Sequence, residues 1–412
     1  MTPGRLYRKL PTVPRSMFAF TSTPVTFYDT EISSVTITRG ADRRGGGHTP
    51  SILEITVPGA VTAAINGATC RFGLRSGPAD VIGAMVGKTG AEISRRYHGR
   101  VGAMGVDDEG TRFSTTISAS SYTQQMLMSG GLEPVVGGRT VKRVLEDHLG
   151  VHDGSQLSGI EFGAYGTYDR VARSEENRMT FSEVVDKYAA KLGILIRQTR
   201  AGRTEAYTSE YRRDLATGVQ LRTMPHLTRG QVLRPARWQQ SNEQPGARVE
   251  YTITNENGVP VTRVAEIATN IGTVETLSED WSHVYADTLQ TYLEAYGLVW
   301  ERSARTYRLE SISIDLLHLI TSDNPYDRQQ AGNLLTLEEG DPIYLSGDWA
   351  NALQGVHFAQ QIKETITGNS WQLDLALYPI VQVLGTTTPP VPARVWAAAR
   401  YPWADESRTW NL

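Results

Sequence analysis

Cysteine is nearly absent from this sequence of 412 residues, with Cys70 as its one representative. A single cysteine excludes an internal disulfide framework and any zinc site built from several thiolates. Long apolar runs are missing too, because no segment approaches the ~18 consecutive apolar residues that a membrane-spanning helix needs. These absences predict a protein that is assembled in the cytosol and does not insert into a membrane.

An excess of charge of either sign is also missing. The chain carries 41 basic and 44 acidic residues, a net charge of −3. Winding onto DNA or sitting on an anionic membrane requires clustered positive charge, so this balance favours neither. The first twenty residues are basic, but prolines interrupt them and they contain no apolar core of signal-peptide length. We therefore expect a protein that is not exported by that route.

Motifs that carry known chemistry are incomplete. Residues 83–89 resemble a nucleotide phosphate loop, but three residues rather than four separate Gly83 from the Gly87-Lys88 pair. His148 and His152 are four residues apart, yet Gly150 between them ends the predicted helix, which disfavours a shared metal ion. The sequence therefore favours neither nucleotide hydrolysis nor metal binding.

The remaining candidates for chemistry are isolated. His357 stands at the start of a predicted strand, where we expect it to pack or to face water. Adjacent carboxylates such as Asp107 and Asp108 point apart on strands and turns, and they read as turn and cap residues. Neither a serine nucleophile elbow nor a His-Glu-x-x-His zinc motif is present. We predict no catalytic residue, no cofactor and no metal, although a triad assembled from distant positions stays open.

The region from Leu337 to Leu384 predicts a long antiparallel hairpin. Gly368-Asn369 lies between two apolar-patterned runs, which is typical of a two-residue type II′ turn with positive φ at the glycine. Counting outward from this turn gives these expected cross-strand pairs: Thr367 with Ser370, Ile366 with Trp371, Lys363 with Asp374, Ile362 with Leu375, and Gln360 with Leu377. Apolar pairs on one face and the Lys363–Asp374 pair on the other support this register. Residues 343–345 predict a further strand of the same sheet.

Glu364 is the exception in this hairpin, because the register sets it opposite Leu373. Three explanations stay open: a β-bulge, a contact with another subunit, or a different register. We treat Glu364 as a candidate partner-contact residue.

Other segments predict a β-rich beginning and helices in the middle. Strands are expected at 25–29, 32–38, 52–57, within 100–121, at 194–198 and at 248–254. Helices are expected after Thr140 up to Gly150, from a capping box of Thr180 and Glu183 up to Gly193, and over 279–296. The last two helices are each followed by a glycine and an expected strand, 194–198 and 298–302. This echo is either an internal repeat or chance.

The fold class that follows is α+β, β-rich and multidomain. We expect an N-terminal arm at 1–23, a first β-rich domain at 24–135, a helix-containing α+β domain at 136–235, a second β-rich domain at 236–385 with the inserted helix 279–296, and a linker and tail at 386–412. The tail carries Trp396, Trp403 and Trp410 at a spacing of seven. These aromatics either fill a partner's groove or fold back on their own domain.

Several stretches together resemble a known family. They are residues 32–40 near the beginning, and residues 337–343, 353–358, 362–366 and 371–379 at the end. Residues 24–385 resemble the minor tail proteins of long-tailed actinobacterial phages, in particular the baseplate or tail-tip hub subunit. None of these stretches is a catalytic motif.

The resemblance implies a virion protein that is assembled in the host cytoplasm and belongs to the tail tip. It implies two β-barrel-like hub domains per subunit and a homotrimeric ring. Its implied partners are the distal tail protein, the tape measure protein and a central fibre or spike, with DNA passing transiently. No peptidase or glycosidase appendage is visible, so we expect no enzyme.

Other functions stay open at this point. Within the tail, the chain could be the distal tail protein or another minor tail protein, which would form a hexamer. From other classes, it could be a cell-wall hydrolase, or a carbohydrate-binding adhesin built on the three tail tryptophans.

Overall fold

A computed structural model describes the following residues: 16–40, 47–48, 51–108, 110, 112–122, 134–150, 178–189, 194–207, 224–233, 237–240, 248–266, 276–282, 287, 291–292, 295–296, 298–299, 307–347, 349, 354–368 and 370–379. The tail tryptophans Trp396, Trp403 and Trp410 lie outside the described residues, as do His152, Asn369 and the first fifteen positions. The predictions made for them stay predictions.

Strands are the commonest element of the described chain. In chain order they are β1 (Phe18–Ser22), β2 (Val25–Tyr28), β3 (Ser34–Gly40), β4 (Gly47–His48), β5 (Ile52–Pro58), β6 (Thr69–Leu74), β7 (Arg95–Asp108), β8 (Phe113–Ser120), β9 (Leu195–Gln198), β10 (Thr204–Tyr207), β11 (His226–Leu227), β12 (Arg237–Gln240), β13 (Arg248–Thr254), β14 (Pro260–Glu266), β15 (Thr276–Asp280), β16 (Tyr307–Asp315), β17 (Pro342–Leu345), β18 (Gly355–Thr367) and β19 (Ser370–Pro379).

Helices are few and short. They are α1 (Ser76–Val86), α2 (Gly90–Ser94), α3 (Val141–Gly150), α4 (Phe181–Val184) with a π-helical continuation (Val185–Ala189), a 3₁₀ turn (Arg229–Gln231), α5 (Leu316–Ile320) and α6 (Pro325–Leu335). Within the described ranges, none of them has the length and apolar character needed to cross a bilayer. The β-rich α+β class predicted from the sequence is confirmed.

One 13-stranded sheet joins the beginning and the end of the chain. Its order is β12-β16-β19-β18-β3-β5-β8-β7-β6-β1-β2, with β17 beside β18 and β11 beside β17. Strands from the ranges 24–135 and 236–385 are thus neighbours in a single sheet, where β3 pairs with β18. The sheet also includes β1, which belongs to the range assigned to the arm. Two small sheets stand apart, β10-β9-β4 and β14-β13-β15.

The large sheet is strongly curled. Trp371 on β19 and Phe18 on β1 are seven positions apart in the strand order, which would be ~34 Å in a flat sheet. Their rings instead meet edge to face, with centroids 5.1 Å apart. The sheet therefore bends around its own apolar face like part of a barrel.

Two hydrophobic cores result. The first core lies inside the curled sheet, together with α1, α5 and α6. The second core is built from α3, α4, β9 and β13, with Trp281 among its buried side chains. Strand β18 serves both, because Val356 and Phe358 are buried in the second core while Ile362 and Ile366 are buried in the first.

The predicted hairpin forms, with two corrections. The pairs from Thr367–Ser370 to Ile362–Leu375, including Lys363–Asp374, are confirmed, and β17 joins β18 as predicted. The pair of Gln360 with Leu377 is wrong, since a bulge between Ala359 and Gln361 gives Leu377 to Ala359. The type II′ turn is also wrong, because Gly368 does not have the positive φ that this turn requires.

The middle of the chain mixes confirmed and wrong predictions. Helix α3 has the predicted bounds, and Thr180 and Glu183 form the predicted capping box. The third helix is wrong at its start, because Glu279 and Asp280 end β15, which pairs with β13. The strand predicted at 298–302 is wrong at Leu298 and Val299, which are helical. The suggested repeat of helix, glycine and strand is therefore not formed in its second copy.

Candidate functional site

Glu364 is the centre of a buried ion cluster in the first core. It lies on β18 between Ile362 and Ile366, and its side chain has 0 % exposure. The alternation of β18 sends it to the apolar face, where a bare carboxylate would be very costly. Two arginines from other strands meet it there, Arg39 on β3 and Arg96 on β7, and both are buried.

The arginines hold both carboxylate oxygens of Glu364. Arg96 donates from Nε to Oε2 at 2.9 Å and from Nη2 to Oε1 at 2.6 Å, which is a two-pronged contact. Arg39 Nη2 donates to Oε1 at 2.7 Å. Trp371 adds an indole N–H contact to Oε2 at 3.3 Å. The curl of the sheet makes this possible, since it brings β7 across to β18.

Two further donors, one from each arginine, are bound by backbone carbonyls. Arg96 Nη1 donates to the carbonyl of Leu335 at 2.6 Å, at the end of α6. Arg39 Nη1 donates to the carbonyl of Arg96 at 3.1 Å. The cluster therefore ties together β3, β7, β18 and α6.

Charge pairing decides the protonation of these groups. Burial alone would raise the pKa of Glu364, but the positive charges of Arg96 and Arg39 outweigh it and lower the pKa to about 2. Burial lowers the pKa of Arg96 to about 10, against the opposing attraction of Glu364. At neutral pH, Glu364 and Arg96 are therefore both charged.

A second set of ion pairs links the two cores, and we call it the seam. Arg200 Nε donates to Glu338 Oε1 at 2.7 Å, and Arg197 Nη1 donates to Asp341 Oδ1 at 2.9 Å. Arg197, on β9, also contacts Glu205. Burial raises the pKa of Glu338, but Arg200 and Arg39 bring it below its usual value. The loop after α6 is thus fastened to the small sheet that contains β9.

This arrangement explains Glu364 without a subunit contact. The register is as predicted and the bulge lies at Gln360, so neither of those alternatives accounts for the carboxylate. The carboxylate is enclosed, and its oxygens are occupied by arginine and tryptophan donors. Its chemistry is to hold segments together, since no substrate could reach it without opening the first core.

The other candidate residues are scattered. Gly87 caps the C-terminus of α1 in a left-handed conformation, whereas a phosphate site needs a helix N-terminus. Asp147 forms ion pairs with Arg139 and Arg143. In the part of the chain that the structure describes, no three His, Cys, Asp or Glu side chains gather as a metal site would need.

Two buried side chains, His357 and Cys70, are poorly suited to catalysis. His357 is 1 % exposed and its Nδ1 lies 3.2 Å from the carbonyl of Gly355, so it packs rather than faces water. Burial lowers the pKa of His357 to about 4. Burial also raises the pKa of the Cys70 thiol to about 12, which makes it a poor nucleophile.

Sequence reasoning missed His98, which lies on β7 where the two cores meet. Its Nδ1 is 3.3 Å from the carbonyl of Ala201, and its Nε2 is 3.3 Å from both Arg71 Nε and the Tyr122 hydroxyl. Gly202 fits closely against the ring, because a Cβ there would come within 2.5 Å of Nδ1. No local pattern marks these contacts, since the turn of Ala201 is 103 residues away.

Comparison with known proteins gives a fold but no family. No protein family model matches the chain, and no curated protein matches its sequence. A solved tail protein from Neisseria meningitidis is similar with a TM-score of 0.59 and 10 % identity, over 88 % of this chain and 96 % of that one. The 43 kDa tail protein of prophage MuSo2 from Shewanella oneidensis gives 0.53 and 12 %, over 89 % and 100 %. The chain thus has the fold of these tail proteins.

Proposed function

We propose that this chain is a structural subunit of a phage tail tip, in a long-tailed phage of actinobacteria. It forms a homotrimeric hub ring that joins the tail tube and distal tail protein to a central fibre or spike. DNA passes through the ring during infection. Its further partner is the tape measure protein, and it is assembled in the host cytoplasm.

The observation that carries this proposal is the likeness to two tail proteins along nearly the full length of each. Two other features support it. The buried ion pairs, such as Arg96 with Glu364, hold segments of the chain together rather than form a catalytic site. The net charge of −3 suits a lumen through which DNA slides without binding. The proposal includes no catalytic role.

The test is the copy number of the purified chain. Native mass measurement and symmetry-resolved imaging of the assembled tail should give three copies in a ring. Six copies would favour the distal tail protein instead, and a chain that stays monomeric and is absent from tails would refute the proposal. Lysis of host cell wall in a zymogram would overturn the non-enzymatic part.

The tail tryptophans are part of the proposal as partner contacts. Deleting residues 389–412, which include Trp396, Trp403 and Trp410, should leave the ring intact and weaken binding to one neighbouring tail protein. If the deletion instead abolishes binding to host carbohydrate, the chain is an adhesin.

A further inference from the structure

Within the described residues, strand β7 has an unpaired edge over residues 102–108, which we call the free edge. The neighbouring β6 pairs with β7 only from Gly73–Arg95 to Thr69–Arg100, and the backbone contacts of Gly67 and Ala68 end at Val101. From Ala103 to Asp108, β7 pairs with β8 on its other side. On the outer side of residues 102–108, no strand of the described chain is paired.

This edge is exposed and partly apolar. All residues from 102 to 108 except the half-buried Met104 are exposed. Val106 and Phe113, on the same hairpin, are 48 % and 49 % exposed, which is high for large apolar side chains. About half of the backbone N–H and C=O groups of such an edge point outward in an antiparallel strand. An open edge of this kind is a template for adding a strand.

The charge of the free edge indicates which kind of strand would bind there. Asp107 and Asp108 are exposed at its end, and Glu109 follows in the sequence. A matching strand would carry basic residues and alternate apolar side chains, and it would be free of proline over about the same length.

One segment of the chain itself meets these requirements. Residues 4–10, Gly-Arg-Leu-Tyr-Arg-Lys-Leu, lie between Pro3 and Pro11 and are proline-free over seven residues, the length of the free edge. Prolines cannot donate to a sheet, so they set the limits of any strand here. Arg5, Arg8 and Lys9 are positive, and the first fifteen residues contain no acidic side chain.

The register of β1 argues against an arm that folds onto its own subunit. Phe18 is paired with Leu74, at the Arg95 end of β7, whereas the free edge begins at Gly102. The eight residue-to-residue steps from Leu10 to Phe18 span at most ~27 Å, about the distance along β7 between those two levels. Only a fully stretched arm would reach the near end of its own edge.

We propose that residues 4–10 of a neighbouring copy add as a strand to the free edge of β7. Antiparallel pairing with Arg5 opposite Asp107 and Leu6 opposite Val106 joins opposite charges at one position and apolar side chains at the next. The arms then link each subunit of the ring to the next. This inference rests on the proposed function, because the ring supplies the neighbouring copy.

Disulfide cross-linking of the full-length chain tests it. The variant Leu6→Cys with Val106→Cys should give covalent dimers and larger products on a non-reducing denaturing gel after mild oxidation. The native Cys70 is buried and does not compete. A matched control pairs Leu6→Cys with Val264→Cys on β14, which is 39 % exposed and lies in a separate sheet; it should stay monomeric.

Charge exchange sharpens the result. Adding Asp107→Lys to the cross-linking variant should lower the yield several-fold, and adding Arg5→Glu to that should restore it. Cross-links only within one chain, or interchain yields no higher than the control, overturn the inference. Native mass of the same samples separates the two proposals, because a trimer without arm cross-links refutes only the arm, whereas a monomer refutes both.

Discussion

The two cores of this protein handle charge differently. The first core encloses a carboxylate and two guanidinium groups at its centre, with exposures of 0 % for Glu364 and Arg96 and 2 % for Arg39. Around the second core, the ion pairs of the described residues lie at its margin: at the seam, where Arg197 and Arg200 meet the loop after α6, and on the outer sides of α3 and β13. Charge therefore fixes the interior of one core and only the margin of the other.

This contrast between the cores shows how segments distant in the sequence are held in place. Within the first core, the cluster joins positions 39, 96, 335 and 364, which local sequence cannot bring together. Arginine and glutamate at these positions are satisfied only when all four segments are correctly placed, so we infer that the cluster contributes to a unique arrangement. The second core relies on nearby elements such as α3, α4 and β9.

The largest effect is expected from Glu364→Gln. It leaves the buried Arg96 without its counter-charge and leaves Arg39 with only the more distant carboxylate of Glu338, 3.9 Å away, so the free energy of unfolding should fall by about 3–5 kcal/mol. Chemical denaturation measures it. The matched control is Lys363→Gln on the exposed face of β18, which removes only a cross-strand pair and should cost no more than about 1 kcal/mol.

A triple variant completes this test. Removing all three charges with Arg39→Met, Arg96→Met and Glu364→Leu should recover part of the stability, because the cost arises from unpaired charge. If Glu364→Gln is no worse than Lys363→Gln, the contrast between the cores is not real.

A smaller loss is expected at the seam from Glu338→Gln. This change weakens charged hydrogen bonds to the side chain and backbone N–H of Arg200, so we expect a loss of about 1–3 kcal/mol in the free energy of unfolding. Faster proteolysis at the turn around Arg200 should accompany it. Glu54→Gln, on the exposed face of β5, is the control and should be near neutral. Equal losses in both would contradict the fastening role of the seam.

Within the second core, Thr180→Ala should cost about 1 kcal/mol, because it removes the hydroxyl that caps α4. The equivalent change beside the first core is Thr89→Ala, which removes the cap of α2. Melting temperatures of the two variants compare the cores directly. A clearly larger loss from Thr89→Ala would show that the first core, rather than the second, depends on its local caps.

The smallest effect is a pH dependence at His98. Burial lowers the pKa of His98, and the charges of Arg71 and Arg95 add to this, so that the opposing hydrogen bond to the carbonyl of Ala201 does not restore the usual value. The unfolded chain therefore binds a proton first, and stability falls as pH drops below about 6.5. Thermal melts at pH 7.5 and 5.5 should show a smaller pH-dependent loss for His98→Gln than for the unchanged chain. An equal loss in both would show that His98 does not cause the pH dependence.

Local patterns predicted the elements that depend on local chemistry. The hairpin register followed from its turn position and alternation, the start of α3 after Thr140 followed from its apolar spacing, and the cap at Thr180 followed from Glu183 three residues on. Glu364 was recognisable as an exception, because it interrupts an apolar face. Its partners were not, since Arg96 is 268 and Arg39 is 325 positions away.

The wrong predictions have a common physical origin. Gln360 was expected to face Leu377, but a bulge displaces it. The bulge lies in a strand that packs against two cores, and the alternation of a single strand does not reveal this. Leu298 and Val299 are apolar, and valine is β-branched, which is typical of a strand. Both are nevertheless helical and buried in the second core, so tertiary packing overrides propensity there. The pairing of β3 with β18 in one sheet could not be predicted either, because it also depends on contacts between segments that are distant in the sequence.

Strand β18 has one more consequence, for the cooperativity of unfolding. A chain whose cores had no shared element could melt in two steps. Here a single strand of 13 residues is buried at one end in the second core and over the rest of its length in the first. If either core unfolds, one end of β18 loses its packing, and the other end loses part of the support that keeps it ordered. We therefore expect one sharp calorimetric transition, with the ends of the chain reporting on the same event as its middle.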